Sequence, residues 1–195
     1  MKKSSIYTVQ FRRKREGATN YRKRLKILLS NKPRLVIRKS LKNIQAAIID
    51  YDKKGDVVKA SVHSSNLKKF GWSYGAGNLP AAYLVGFLLG KRASAKSNAA
   101  VLDIGINKSV KGSRVYAVLA GALDAGMKIP CSKEILPSKE RIMGKHIIDY
   151  GEKLKKDETS FKKQFGAYIK DNNDLSNIAK KLKEVKNSID KKPSG

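Results

Sequence analysis

The feature that most constrains this chain is the density of positive charge in its first forty residues. Residues 1–40 contain fourteen lysines and arginines and a single acid, Glu16. The charge starts in the arm that precedes the first predicted helix and continues through that helix and the strand after it. Positive charges this close together repel one another unless an anion neutralises them. The fold must therefore place these side chains on a surface that faces a polyanion.

The net charge of the whole chain indicates which polyanion to expect. The 195 residues include 43 Lys and Arg against 16 Asp and Glu, which gives a formal net charge of +27. Nucleic acid is the usual partner of such a chain, because each neutralised phosphate releases condensed counterions. An anionic membrane surface and an acidic protein are the alternatives, in that order.

Cysteine usage and hydropathy bear on the location of the protein. Cys131 is the only cysteine, so the chain has no intrachain disulfide, which suits a reducing compartment. The first residues are not followed by the apolar run of a signal peptide. The most apolar stretch, residues 76–90, is shorter than the roughly 20 residues that a membrane span needs. We therefore expect a soluble cytoplasmic protein that makes no membrane contact.

The pattern of apolar residues predicts an α/β fold in three parts. These are a basic N-terminal arm (residues 1–17), an α/β RNA-binding domain (18–137) and a helical C-terminal extension (138–195). The arm is expected to be extended. Three strands joined by short turns predict an antiparallel meander, and a fourth, apolar strand is expected at the centre of a mixed sheet packed by helices. The predicted strands span residues 34–39, 44–50, 57–64 and 99–105.

Caps and helical periodicity predict where the helices of the domain lie. Thr19 or Asn20 can cap a basic helix that ends at Leu29. A second helix, residues 78–91, is apolar on nearly all sides and should be buried against the sheet. A third helix spans residues 113–125, and residues 65–77 are expected to form a loop.

The extension is expected to be helical throughout. Ser138 can cap a helix that runs to about Leu154, and Thr159 or Ser160 can open another. A clean apolar stripe over residues 175–189 predicts the last helix. Residues 191–195 are expected to form a frayed tail.

Basic side chains on ordered elements are the main candidates for RNA contacts. A basic arm alone could equally be a localisation signal or a solvated charge cluster. The continuation of the charge across a predicted helix and strand favours RNA binding. The candidate basic contacts are Arg12, Arg13, Lys14, Arg15, Arg22, Arg24, Lys26, Lys32, Arg34, Arg38 and Lys39.

Aromatic and neutral polar residues supply further candidates. The ring of Tyr21 can stack on an unpaired base, or it can pack on its own helix. Trp72, in a glycine-rich stretch, is either a ligand contact or an ordinary buried tryptophan. His63, Ser64 and Ser65 offer hydrogen-bonding groups to a phosphate or a 2′-hydroxyl at the end of a strand.

One motif raises an enzymatic alternative. Residues 101–105 resemble the first strand of ribonuclease-H-like or actin-like ATPase folds, in which an Asp-x-Gly motif holds a metal or a phosphate. A nuclease would need further carboxylates that converge on the same cation. None shows a convincing spacing, so we expect Asp103 to be a capping or turn residue at a strand end. His63, His146 and Cys131 are too scattered for a metal site, and no cofactor is expected.

Many separated motifs, in a fixed order, resemble one family of large-subunit ribosomal proteins. It is the 5S rRNA-binding family that is number eighteen of the universal series, in its archaeal and eukaryotic form. The resemblance covers roughly residues 5–150. The motifs are residues 12–16, 19–21, 24–25, 32–36, 38–40, 60–61, 63–65, 71–72, 77–78, 82–83, 100–105, 121–122 and 124–126.

The resemblance implies a fold of the translational-machinery type and a structural role without catalysis. It implies binding to 5S rRNA, which the protein would help to hold beside 23S rRNA in the central protuberance, next to neighbouring ribosomal proteins of the large subunit. It also implies RNA contacts through the N-terminal arm and an open sheet face. Carried onto this sequence, the contacts are Arg12, Arg13, Arg15, Tyr21, Arg22, Arg24, Arg34, Arg38, Lys39, Ser40, His63, Ser64, Ser65 and Trp72.

Overall fold

The computed structural model describes residues 8–93 and 98–192 of the chain. Residues 1–7 of the predicted arm and residues 193–195 of the predicted tail lie outside the described residues. None of the described helices combines the length and the hydrophobicity needed to cross a membrane.

A mixed sheet with the strand order β3–β2–β1–β4 organises the described part of the chain. Strands β1 and β2, and strands β2 and β3, pair antiparallel, whereas β4 runs parallel to β1. The α/β class, the mixed sheet and the antiparallel meander are therefore confirmed. The strands are β1 (Arg34–Lys39), β2 (Ile44–Asp50), β3 (Val57–His63) and β4 (Val101–Asp103).

The strand predicted to be central lies at the edge of the sheet. Strand β2 occupies one side of β1, and only the other side is left for β4. The apolar character that suggested a central strand has a different cause. Leu102 and Ile104 pack against the margin of the hydrophobic core, and a basic helix approaches the same strand from outside the sheet.

Eight α-helices and three short 3-10 helices complete the described part of the chain. The α-helices are α1 (Arg12–Arg15), α2 (Tyr21–Leu28), α3 (Leu79–Ala93), α4 (Arg114–Asp124), α5 (Lys139–Ile142), α6 (Lys145–Leu154), α7 (Glu158–Lys170) and α8 (Ile178–Lys191). The 3-10 helices are Ser64–Phe70, Lys133–Ile135 and Leu175–Asn177.

Helices α3 and α4 pack on each other and against one face of the sheet. Their backbones come close together because glycines lie at the contact. A Cβ atom at Gly86 would collide with the carbonyl group of Val118, and one at Gly121 would collide with that of Tyr83. Almost every residue of α3 is buried, as its apolar sequence predicted. The core of the protein therefore lies between this helix pair and the inner face of the sheet.

Two segments predicted as irregular are helical. Residues 12–15 of the arm form one helical turn, in which the carbonyl of Phe11 accepts hydrogen bonds from the backbone N–H groups of Lys14 and Arg15. The predicted loop after β3 begins with the 3-10 helix Ser64–Phe70, and the His63 ring nitrogen accepts from the N–H of Ser65 at its start. A local side-chain cap from His63 accounts for the second difference, whereas the turn of residues 12–15 has no side-chain cap.

The C-terminal extension is helical, but its helix boundaries differ from those predicted. Gly144, with φ of +85°, ends α5 and begins α6 where a single helix was expected. Asp157, and not Thr159 or Ser160, caps α7. Helix α8 packs against α3, and its buried residues belong to the same hydrophobic core as the sheet. The division into three parts stays a prediction.

Candidate nucleic-acid interface

The sheet has one face that the large helices do not cover. Leu35, Ile37 and Ile48 point into the core, so the alternate residues of β1 to β3 point the other way. Six of these alternate residues define what we call the open face; they are Val36, Arg38, Gln45, Ala47, Ser61 and His63. Because Arg38 pairs with Gln45 and Gln45 with His63, a polar row crosses three strands. The neighbouring row, Val36, Ala47 and Ser61, has small side chains, so an extended ligand can approach the sheet closely.

The basic helix α2 lies beside this face, at the β4 edge. The Asn20 side chain caps it by accepting a hydrogen bond from the N–H of Lys23, as the sequence predicted. Arg22, Lys23 and Lys26 are exposed, and no ion pair to an acid is seen for them among the described residues. Their charge is therefore available to an external anion.

The same helix is tied to the sheet by a chain of ion pairs. Asp103 of β4 accepts from Arg34 of β1 at 2.9 Å, and Arg34 in turn donates to Asp56 at 2.6 Å. Both carboxylate oxygens of Asp56 also accept hydrogen bonds from the guanidinium of Arg24 in α2, each at 2.9 Å. Burial raises the pKa of Asp56, but the hydrogen bonds and charges of Arg24 and Arg34 outweigh it and hold that pKa below the ordinary value of an aspartate. The carboxylate thus stays charged and links the helix to the strand.

Asp103 has the turn role that its position predicted. One carboxylate oxygen accepts from the N–H of Gly105 at 2.8 Å, and the other is paired with Arg34. The side chain is 9% exposed and is also within 3.5 Å of Arg38. Within residues 8–93 and 98–192, no three metal-binding side chains come together in a group that could hold an ion.

Most of the predicted contact residues are accessible. Arg12 and Arg13 begin the one-turn helix α1, and Lys39 and Ser40 end β1 beside the open face. Tyr21, Arg24 and His63 are half-buried. The exposed members are Arg12, Arg13, Lys14, Arg15, Arg22, Lys26, Lys32, Arg38, Lys39, Ser40 and Ser65.

Three of the predicted contact residues lie inside the protein. Arg34 is 2% exposed and holds the two carboxylates described above. The Ser64 hydroxyl accepts from the N–H of Ile44 and donates to the Asn43 side chain. Trp72 is 3% exposed and packs on Tyr74. All three side chains are buried, so they offer no surface to a ligand.

Sequence reasoning missed Arg114, which fixes the turn between β1 and β2. Its guanidinium donates to the carbonyl oxygens of Gly77 at 2.7 Å and Ser40 at 3.2 Å. The turn therefore presents Lys39 and Ser40 in a fixed position. No sequence signal marks this contact, because the partners are main-chain groups from distant parts of the chain.

An open polar sheet face beside a surface of exposed cations is typical of the class of RNA-binding proteins. The comparison with known proteins gives the particular family. The profile described as "Ribosomal large subunit proteins 60S L5, and 50S L18" matches residues 5–100 and 93–132. Large ribosomal subunit protein uL18 of Methanococcus maripaludis is 47% identical over 190 residues, which cover 97% of this chain and 98% of the relative. The chain belongs to this family of large-subunit ribosomal proteins.

Membership in the family decides between the structural and the enzymatic hypotheses. The proteins of this family are structural constituents of the large ribosomal subunit and not enzymes. The nuclease hypothesis built on Asp103 is therefore set aside. The similarity to the archaeal relative also extends through the C-terminal helices, beyond the part that the sequence motifs covered.

Proposed function

We propose that the protein binds 5S rRNA and helps to anchor it to 23S rRNA in the central protuberance of the large subunit, beside neighbouring ribosomal proteins. The observation that carries the proposal is the meeting of two surfaces. The exposed cations of α1 and α2 adjoin an open sheet face with a polar row, so one RNA segment can contact both at once. Family membership and the resemblance of the motifs to 5S rRNA-binding proteins support the choice of RNA.

The two surfaces have different roles in this proposal. Exposed arginines and lysines of α1 and α2 neutralise phosphates and set the position of the protein on the RNA. Arg38, Gln45 and His63 offer hydrogen bonds to 2′-hydroxyls and to the edges of unpaired bases. The cations give affinity that falls as salt rises, whereas the polar row contributes to the recognition of shape.

The direct test is the binding of 5S rRNA by an arm variant in a filter or gel-shift assay with competitor tRNA. Arg12→Ala with Arg13→Ala should weaken binding roughly tenfold, because two phosphate contacts are lost. The dependence of log Kd on log salt should become shallower by about 1.4 for two single-strand contacts.

The matched control removes two charges from the far end of the chain. Lys180 and Lys183 are exposed on α8, so Lys180→Ala with Lys183→Ala changes the net charge by the same amount. This variant should bind 5S rRNA as the wild type does. Wild-type affinity in the arm variant would refute the proposed role of the arm.

A further inference from the structure

A groove of about 710 Å³ lies between α2 and the segment that follows β4. Its volume is within the range of about 300–1,000 Å³ found for sites that hold small organic ligands. Tyr21 and Ile27 of α2 line one wall, and Ile104 after β4 lines the other. Arg13, Lys23 and Arg38 contribute positive charge to the same groove. The walls are thus partly apolar and the cations are placed around them.

Arg38 is held in one orientation within the groove. Its guanidinium donates to the carbonyl oxygens of Ile37 at 2.8 Å and Asp103 at 3.1 Å. It lies directly on Gly105, where an added Cβ would be only 2.9 Å from the guanidinium carbon. The side chain is nevertheless 48% exposed. A guanidinium fixed in this way has one covered side and is a platform on which an unstacked base can lie.

Arg13 is also oriented before any ligand binds. Its Nε donates to the Thr19 hydroxyl at 2.9 Å, and both residues line the groove. Lys23 lines the groove as well and is exposed. The acids of the groove, Asp56 and Asp103, are neutralised by arginines. The groove therefore has an excess of positive charge, which suits a phosphate.

We propose that this groove, which we call the α2 groove, takes one unstacked nucleotide of the bound RNA. The base lies on the guanidinium plane of Arg38 with Ile27 and Ile104 beside it, and Arg13 and Lys23 bind the phosphate. This inference rests on the proposed binding of 5S rRNA and names the kind of nucleotide that one part of the interface recognises. A groove with partly apolar walls and several cations fits a single extruded nucleotide better than a stacked duplex, whose bases are covered.

The test compares two substitutions that keep the charge of an arginine. Arg38→Lys retains the positive charge but loses the planar platform, whereas Arg141→Lys changes an exposed arginine of α5 that lies outside the proposed interface. With a 5S rRNA transcript, Arg38→Lys should bind roughly tenfold more weakly, as expected for the loss of one stacked base. Arg141→Lys should bind within a factor of about two of the wild type, because Arg141 is not part of the proposed interface. The salt dependence should be unchanged in both variants.

Chemical probing of the RNA gives a readout that a general loss of stability would not produce. Acylation of the 2′-hydroxyls of the transcript should change at one unpaired nucleotide when the wild type or Arg141→Lys binds. That change in acylation should be absent when the transcript is saturated with the Arg38→Lys protein. Thr19→Val, which releases Arg13 by removing an exposed hydroxyl, should weaken binding several-fold and serves if Arg38→Lys fails to fold.

The outcomes separate this inference from the proposed function. The inference alone would be overturned if Arg38→Lys bound the RNA with wild-type affinity and gave the wild-type acylation pattern. Thr19→Val takes the place of Arg38→Lys in this comparison if the latter does not fold. A wild-type protein that does not bind the 5S transcript would overturn the proposed function and the inference with it.

Discussion

Arg34 is a buried cation whose two carboxylate partners come from distant parts of the chain. It donates to Asp103 and Asp56, and it joins β1 to β4 and, through Asp56, to α2. A buried charge that loses its partner is costly, because the low-dielectric interior does not replace the lost solvation. The residue therefore stabilises the surface that RNA is proposed to contact without contacting RNA itself.

Arg34→Met should lower the free energy of unfolding by roughly 3–5 kcal/mol, because it leaves Asp103 buried without its main partner. Urea unfolding in the absence of RNA measures this. The control is Arg22→Met on the exposed side of α2, which should change the free energy by less than about 0.5 kcal/mol. Equal stabilities for the two variants would show that the ion pairs do not hold β4 and α2 in place.

The comparison of Arg34 with Arg38 shows what the sequence could not predict at this scale. Both arginines follow the period of two on the same strand, and both were expected to face RNA. Arg34 is buried only because Asp56 and Asp103 converge on it after folding, from 22 and 69 residues away. Asp103 was correctly predicted as a turn residue, because its partner Gly105 is local.

Among the elements, the packing of α8 decides whether the C-terminal extension is a separate unit. Leu182, Val185 and Ile189 are buried and belong to the core that contains the residues of β1 and α3. Since α8 packs against α3, loss of apolar contacts on α8 should destabilise the α/β part as well.

Leu182→Ala should lower the free energy of unfolding by about 2–5 kcal/mol, as expected for a truncated buried leucine. Trp72 is the only tryptophan and lies in the α/β part, so its fluorescence reports the unfolding of that part. The substitution of the adjacent residue, Lys183→Ala, removes an exposed side chain and should leave the midpoint of the Trp72 unfolding transition unchanged. An unchanged Trp72 transition in Leu182→Ala would mean that the extension unfolds independently.

Elements with local signals could be predicted, and elements defined by distant contacts could not. Strands β1 and β2 have the predicted bounds, and α2 begins at the predicted Asn20 cap. The edge position of β4 depends on which side of β1 is already occupied. The break at Gly144 likewise depends on tertiary packing, because a Cβ there would be 2.8 Å from a side-chain atom of Ile178 in α8.

On the scale of the whole molecule, basic side chains are not confined to the N-terminal surface. The N-terminal cations adjoin the open face, whereas the lysines of α8 lie on a helix that packs against α3. The net charge of +27 alone predicted a polyanionic partner but could not say which surface faces it. The structure supplies the arrangement on which the proposal for the N-terminal surface is built.

Acylation of lysines in the free protein and in its complex with 5S rRNA, quantified by mass spectrometry, tests the central claim most directly. Lysines occur on both surfaces, so one experiment compares them under the same conditions. The account predicts that Lys14, Lys23, Lys26 and Lys39 lose reactivity when the RNA binds, while Lys180 and Lys183 keep theirs. Unchanged reactivity of the N-terminal lysines, with protection of those on α8, would contradict it.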